Sequence, residues 1–367
     1  MKRKLSSQIP FGNGRVLASD EASDPPTIEF AAEPNAPDGP GWFNVRIAPD
    51  TAEGAGLEGN LRVRLRHAGD LSGGGLPGQV TPVCRSSEQD WARIRHGLAE
   101  IEPDGQTTGV WTLRAPTKWS EMALCFPYGR HELRSLLQKS GGYWTQDSIG
   151  LGSTGHPIQR LSNDYGRPGA KRPGLYLVAR EQACDMPASW VLEGALQEWS
   201  RLNCKSATIW TLPFAHPDAA AGGRRGPLQL TQEMPEAIAM ESDLRRWRER
   251  CAPALVLELR ARGACDIDGI AAHLPANDSP PDLLKETEKW ANVIGDALAP
   301  DYPAEPFKQP LPHRQTPSLA VTTALRLGIP ALSLAVPHCE IRKQTLTRKS
   351  YRQIGKLLAA TLLKRLK

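Results

Sequence analysis

Long apolar runs are missing from this chain of 367 residues: none approaches the roughly 18 residues that span a membrane. No membrane-spanning helix is therefore expected. The basic start, Met1-Lys-Arg-Lys-Leu-Ser-Ser7, is not followed by an apolar stretch, which argues against a secretory signal. Cysteine is scarce and scattered. Cys84, Cys125, Cys184, Cys204, Cys251, Cys265 and Cys339 are odd in number and include no C-x-x-C pair. That pattern argues against a disulfide framework and predicts a reducing, cytoplasmic setting. No internal repeat is visible. Neither sign of charge dominates, with 45 Lys and Arg against 40 Asp and Glu for a net +5. With neither low hydrophobicity nor high net charge, global disorder is excluded.

What is present is core material. Hydrophobic residues make up 40% of the chain, enough for a sizeable core and, at this length, two domains. Proline (32) and glycine (33) are abundant, which favours a loop-rich, strand-containing fold over a helical bundle. The charge is uneven: nine Lys or Arg fall between Arg342 and Lys367, with no acid after Glu340. One reading is an anionic partner, nucleic acid or a membrane surface. The preferred one is the solvated face of a terminal helix whose Ile354, Leu357, Leu358, Leu362 and Leu363 pack inward.

Residues 1–115 hold short alternating runs such as Trp42-Phe-Asn-Val-Arg-Ile47 and Leu61-Arg-Val-Arg-Leu65. Alternation of this kind predicts an antiparallel β-sandwich with one wet face per sheet. A joint is expected near Ala115-Pro116. Beyond it, residues 116–367 alternate helices with apolar runs at Leu175–Ala179, Ala207–Phe214, Ala254–Leu259 and Pro330–Ala335. That order predicts an α/β domain with a mostly parallel, mixed sheet covered on both faces. The helical stretches are Arg130–Lys139, Pro187–Ser200, Glu236–Arg250 and the basic terminal segment, and the Pro-rich residues 300–317 read as a surface loop.

Residues 175–196, LYLVAREQACDMPASWVLEGAL, resemble the strand-to-helix segment of zinc carboxypeptidases, in particular the cytosolic carboxypeptidase branch, where it runs A-R-x-H-P-G-E-x-P-G-S-W. Further cues in family order are Phe11-Gly-Asn13-Gly, Trp42-Phe43 with Arg46, Asp90-Trp91 with Arg93, and Gly152-Ser153-x-Gly155-His156-Pro157-Ile158. The resemblance implies an N-terminal β-sandwich followed by a metallocarboxypeptidase-like α/β domain, and a zinc site. In the family the His and the Glu of that segment hold zinc; here those positions are Gln182 and Asp185. The third ligand, the His of D-L-H, is replaced by Arg260 in Glu258-Leu-Arg260, a permanent cation that cannot ligate another. The general-base position is Ala335 in Pro330-Ala-Leu-Ser333-Leu-Ala335-Val-Pro337. The Asn-Arg pair that grips a terminal carboxylate becomes Thr231 and Gln232.

Zinc hydrolysis needs three protein ligands, an activated water and a base. The resemblance therefore implies a pseudo-peptidase with no cofactor, whose retained cleft binds a peptide or protein partner. Arg224, Thr231, Gln232 and Arg260 are its candidate contacts, and Arg224 or Arg260 could compensate for the lost clamp. The opposing reading is an active zinc carboxypeptidase with an unconventional metal site. An acid, an amide and a guanidinium at three ligand positions suggest that Asp185 and Arg260 pair bidentately in place of the metal; polar filler in a collapsed pocket is the other reading. Elsewhere, His216-Pro-Asp218 sits where the family has a structural N-P-D turn, and Arg225 adjoins Arg224 in a Gly-rich loop. Cys265, Asp266, Asp268 and His273 follow no standard ligand spacing. His338-Cys339-Glu340 is expected at the pocket rim. Nucleic acid is not the expected partner.

Overall fold

The computed structural model describes residues 3–33, 42–50, 59–68, 71, 80–94, 97–217, 231–264, 266, 268–275, 279–310 and 318–366. The first ten strands build two five-stranded sheets. One has the order β1 (Arg3–Ser6), β4 (Asn44–Pro49), β10 (Ser120–Ala123), β6 (Val83–Ser86), β7 (Ala92–Arg93), antiparallel throughout. The other runs β2 (Arg15–Asp20), β3 (Thr27–Ala31), β5 (Asn60–Arg66), β9 (Thr107–Arg114), β8 (Leu98–Ile101). The predicted alternation is visible in β5, where Leu61, Val63 and Leu65 are buried and the arginines between them are not. Inward residues of both sheets, among them Val45, Ile47, Met122, Phe30, Val63 and Trp111, form one hydrophobic cluster.

The expectation of purely antiparallel pairing fails at one place. β3 and β5 pair in parallel because β4 leaves for the other sheet, so the chain crosses over and returns in the same direction. Strand β10 lies beyond the Ala115-Pro116 joint and occupies the centre of the first sheet.

The remaining strands form one eight-stranded sheet. Its order is β11 (Thr145–Leu151), β12 (Pro157–Ser162), β14 (Thr208–Leu212), β13 (Pro173–Ala179), β15 (Ala252–Ala261), β18 (Ala331–Val336), β16 (Ala271–His273), β17 (Lys308–Gln309). The four central strands are parallel, with antiparallel neighbours on either side. As period 2 requires, alternate residues of the central strands serve opposite faces. Leu175, Leu177, Leu257 and Leu334 share a core with helices α2 (Met186–Arg201), α4 (Pro281–Leu298) and α6 (Arg348–Arg365), beside α1 (Arg130–Lys139). Tyr176, Val178, Val256 and Ala331 pack against α3 (Pro235–Arg250) and α5 (Leu319–Arg326).

Helices α2 and α6 approach closely at two glycines. A Cβ on Gly194 would lie 2.1 Å from the Arg352 carbonyl oxygen, and one on Gly355 would lie 1.9 Å from that of Val191. No helix among the described residues is long and apolar enough to cross a membrane.

Candidate functional site

Strands β13, β15 and β18 end at one edge of the large sheet, where ligands bind in open parallel sheets. The loop leaving β13 turns at Arg180, whose backbone is left-handed at φ 62°. Its carbonyl oxygen accepts from the His216 N–H (3.0 Å), which ties the loop to the segment after β14. Asp185 then closes the loop. Its Oδ2 accepts from the Gln182 N–H (3.0 Å) and its Oδ1 from the Ala261 N–H at the end of β15 (2.7 Å). The carboxylate is 1% exposed and stands at the start of α2, where the helix dipole favours an anion.

Arg260 and Glu258 lie on the same face of β15. Ala335 is the register partner of Arg260 on β18, and Ser333 and His273 continue the row beside Glu258. Glu181 reaches across to α5: its carboxylate accepts from Ser318 Oγ (2.9 Å), Leu319 N–H (3.0 Å) and Ala320 N–H (2.9 Å). Glu181, Asp185, Glu258, Arg260 and His273 are all buried; Arg260 acts on all three carboxylates and the buried Arg180 on Asp185, so two guanidiniums serve three carboxylates.

The electrostatics follow from that count. Burial pushes Asp185 up to about 6, opposed by Arg260 and reinforced by Glu258. Burial and Glu258 push Glu181 up to about 8, against its three hydrogen bonds. Burial works against the charge on Arg260, but Glu258, Asp185 and Glu181 outweigh it and raise its pKa. Burial and then Arg260 push His273 down to about 4.

Gln182, Asp185, Arg260 and Ala335 therefore sit at the same end of the sheet. The expected bidentate pair takes a different form. Both Asp185 oxygens accept from backbone N–H groups, and Arg260 acts on the carboxylate through its field. Thr231 and Gln232 are exposed ahead of α3. Asp218, Arg224, Arg225 and Cys265 lie outside the described residues. Asp266 accepts from Arg262 Nε (2.5 Å) and the Asp268 N–H (3.0 Å), a turn closed by its own loop. Among the described residues, no group of three or more His, Cys, Asp or Glu is placed to hold a metal ion.

His338 departs from the expected rim. It is buried and lines a small cavity with Trp42, Asn44, Cys125 and Cys184, where burial and Arg93 push it down to about 3. The family frames do not single out Glu181, and they place Glu258 at the Asp of D-L-H without giving it a role. The signal available for Glu258 is a charged letter inside the apolar run Leu255-Val-Leu-Glu258-Leu.

The architecture is that of the metallo-carboxypeptidase fold. A metallo-carboxypeptidase from Burkholderia cenocepacia superposes with a TM-score of 0.73 at 16% identity, covering 99% of this chain and 98% of that one. A metallo-carboxypeptidase from Pseudomonas aeruginosa, bound to (2-guanidinoethylmercapto)succinic acid, gives 0.73 at 17% identity, covering 99% and 100%. At these identities the likeness is one of fold. No family model matches the sequence, and no curated protein matches it.

Proposed function

We propose that this protein is a catalytically inactive relative of the cytosolic carboxypeptidases. In this reading it is a cytoplasmic pseudo-peptidase that binds a peptide or protein partner in the cleft of residues 116–367, with residues 1–115 forming a β-sandwich beside it. The observation that carries the reading is the buried Arg260 guanidinium, which draws on Asp185, Glu258 and Glu181 at the edge where the family holds its metal. A guanidinium cannot donate a lone pair, and Asp185 already accepts from two backbone donors. Gln182, Asp185 and Arg260 therefore do not fit zinc, and Ala335 offers no base. We derive no hydrolytic step through that site. Arg260, Thr231, Gln232 and Arg224 are the proposed partner contacts.

The test is metal content by mass spectrometry on protein purified without chelator, for wild type and Asp185→Asn. Less than about a tenth of an equivalent of zinc in both is expected. Near-stoichiometric zinc that disappears in Asp185→Asn would overturn the proposal in favour of an active enzyme with an unconventional site, which the shared fold alone supports.

A further inference from the structure

A second concavity lies away from the sheet edge and holds part of the basic C-terminal charge. Helices α1, α2 and α6 line an open hollow of about 350 Å3, within the range of small-molecule sites. Its polar wall is made by Lys139, Glu193, Arg348 and Arg352, with His131 and Glu132. Glu193 is eight residues along α2 from Asp185, about 12 Å at 1.5 Å per residue, so this pocket is separate from the candidate cleft.

Its two arginines are held in place before any ligand arrives. Arg352 Nε donates to Glu193 Oε1 (2.7 Å), and its guanidinium lies over the Trp190 ring at 4.7 Å. Arg348 donates to Asp90 Oδ2 (2.6 Å) and lies over the Phe126 ring at 5.7 Å. Both keep about a third of the side chain exposed, 32% for Arg348 and 34% for Arg352. Each fork is thus fixed by an acid and an aromatic face while its remaining N–H groups stay available.

The acids in the wall are already engaged. Glu193 Oε1 also accepts from Gln197 Nε2 (3.1 Å), and Glu132 Oε2 accepts from the Gly129 N–H (2.8 Å) at the start of α1. Lys139 is exposed and makes no ion pair with any described residue. The wall therefore offers two guanidiniums that each already hold an acid, Arg352 with Glu193 and Arg348 with Asp90, so recognition comes from their remaining directed N–H groups more than from net field. We infer that this pocket binds a small oxyanion ligand, a phosphate or carboxylate group engaged by Arg348 and Arg352 with Lys139 at the rim. The inference is independent of the pseudo-peptidase reading.

Isothermal calorimetry with pyrophosphate and with tricarballylate, in turn, tests it and separates the phosphate from the carboxylate source. Expected is millimolar or tighter binding of at least one probe, weakened at least tenfold in Lys139→Gln and in Arg348→Gln. Both substituted side chains reach solvent, so melting temperatures without ligand should match wild type. Arg352→Lys keeps the charge beside Glu193 but loses the fork, and should also weaken binding. No heat with either probe would overturn the inference. Equal affinity in the Lys139 and Arg348 variants would do the same, as would an effect reproduced by sodium chloride at matched ionic strength.

Discussion

Arg260 has three buried carboxylates to satisfy, and its removal is the sharpest test of that arrangement. Arg260→Met leaves Glu181, Asp185 and Glu258 without their shared cation, and a loss of about 3–5 kcal/mol is expected in urea unfolding. Adding Asp185→Asn to Arg260→Met should cost less than the two single losses summed, because the second change removes part of the repulsion created by the first. An additive result would mean that the two residues do not interact. A second prediction concerns pH. Glu181 is raised to about 8 in the fold, against about 4.3 for a free glutamate. The native state therefore binds this proton more tightly, and stability falls as pH rises toward 8. Above pH 6.5 neither His273 nor His338, both lowered, opposes that trend. Glu181→Gln should flatten the limb between pH 6.5 and 8, whose slope is at most about 1.4 kcal/mol per pH unit; an unchanged slope would refute the assignment. At this scale the sequence frames point to Gln182, Asp185 and Arg260, which lie at one end of the large sheet. They do not show that Asp185 turns back to backbone donors, because the Ala261 N–H that meets it belongs to a distant strand.

Elements were legible wherever a residue's environment repeats locally. The alternation of β5 and the apolar runs of β13, β15 and β18 mark their faces directly. Pairing was less legible, as the parallel β3 and β5 illustrate, since a strand's neighbour depends on chain that leaves and returns. The α2–α6 contact falls in the same class. Gly194 and Gly355 would each weaken an isolated helix, and their role lies in the carbonyls that oppose them. Their absent side chains let the two backbones meet, and the helices in turn cover the sheet face lined by Leu177 and Leu257. Gly355→Ala would normally favour a helix by up to about 1 kcal/mol. Here the methyl group meets backbone, which cannot swing aside as a side chain does, so a net loss of about 1–3 kcal/mol is expected. Denaturant midpoints of Gly355→Ala and of an exposed control, Lys356→Ala, decide the point. A stabilised Gly355→Ala would show that the helices separate at little cost.

Across the whole molecule, one side chain joins parts of the chain that are far apart in sequence. Arg93, on β7, is half-buried and donates to the carbonyl oxygens of Thr81 (2.6 Å) and Leu124 (3.2 Å) beside the first sheet. It also donates to those of Leu346 (3.0 Å) and His338, and to Tyr351 Oη on α6 (3.1 Å). Burial disfavours its charge, while Tyr351, Cys339 and Cys125 beside it raise its pKa. The five donors of a guanidinium match this set of acceptors, and the three of an ammonium do not. Arg93→Met should therefore cost about 1–3 kcal/mol for each buried carbonyl left without its donor, and Arg93→Lys should recover only part of that. The loss should also change the shape of unfolding. With Arg93 in place, the N-terminal sheets and the large sheet are expected to melt in one calorimetric transition. Without it, the peak should split, and proteolysis should cut first between the two parts. A single, symmetric transition in Arg93→Met with an unshifted midpoint would mean that the hydrophobic contacts of Ala183, Cys184 and Cys339 with the N-terminal core hold the two parts together on their own.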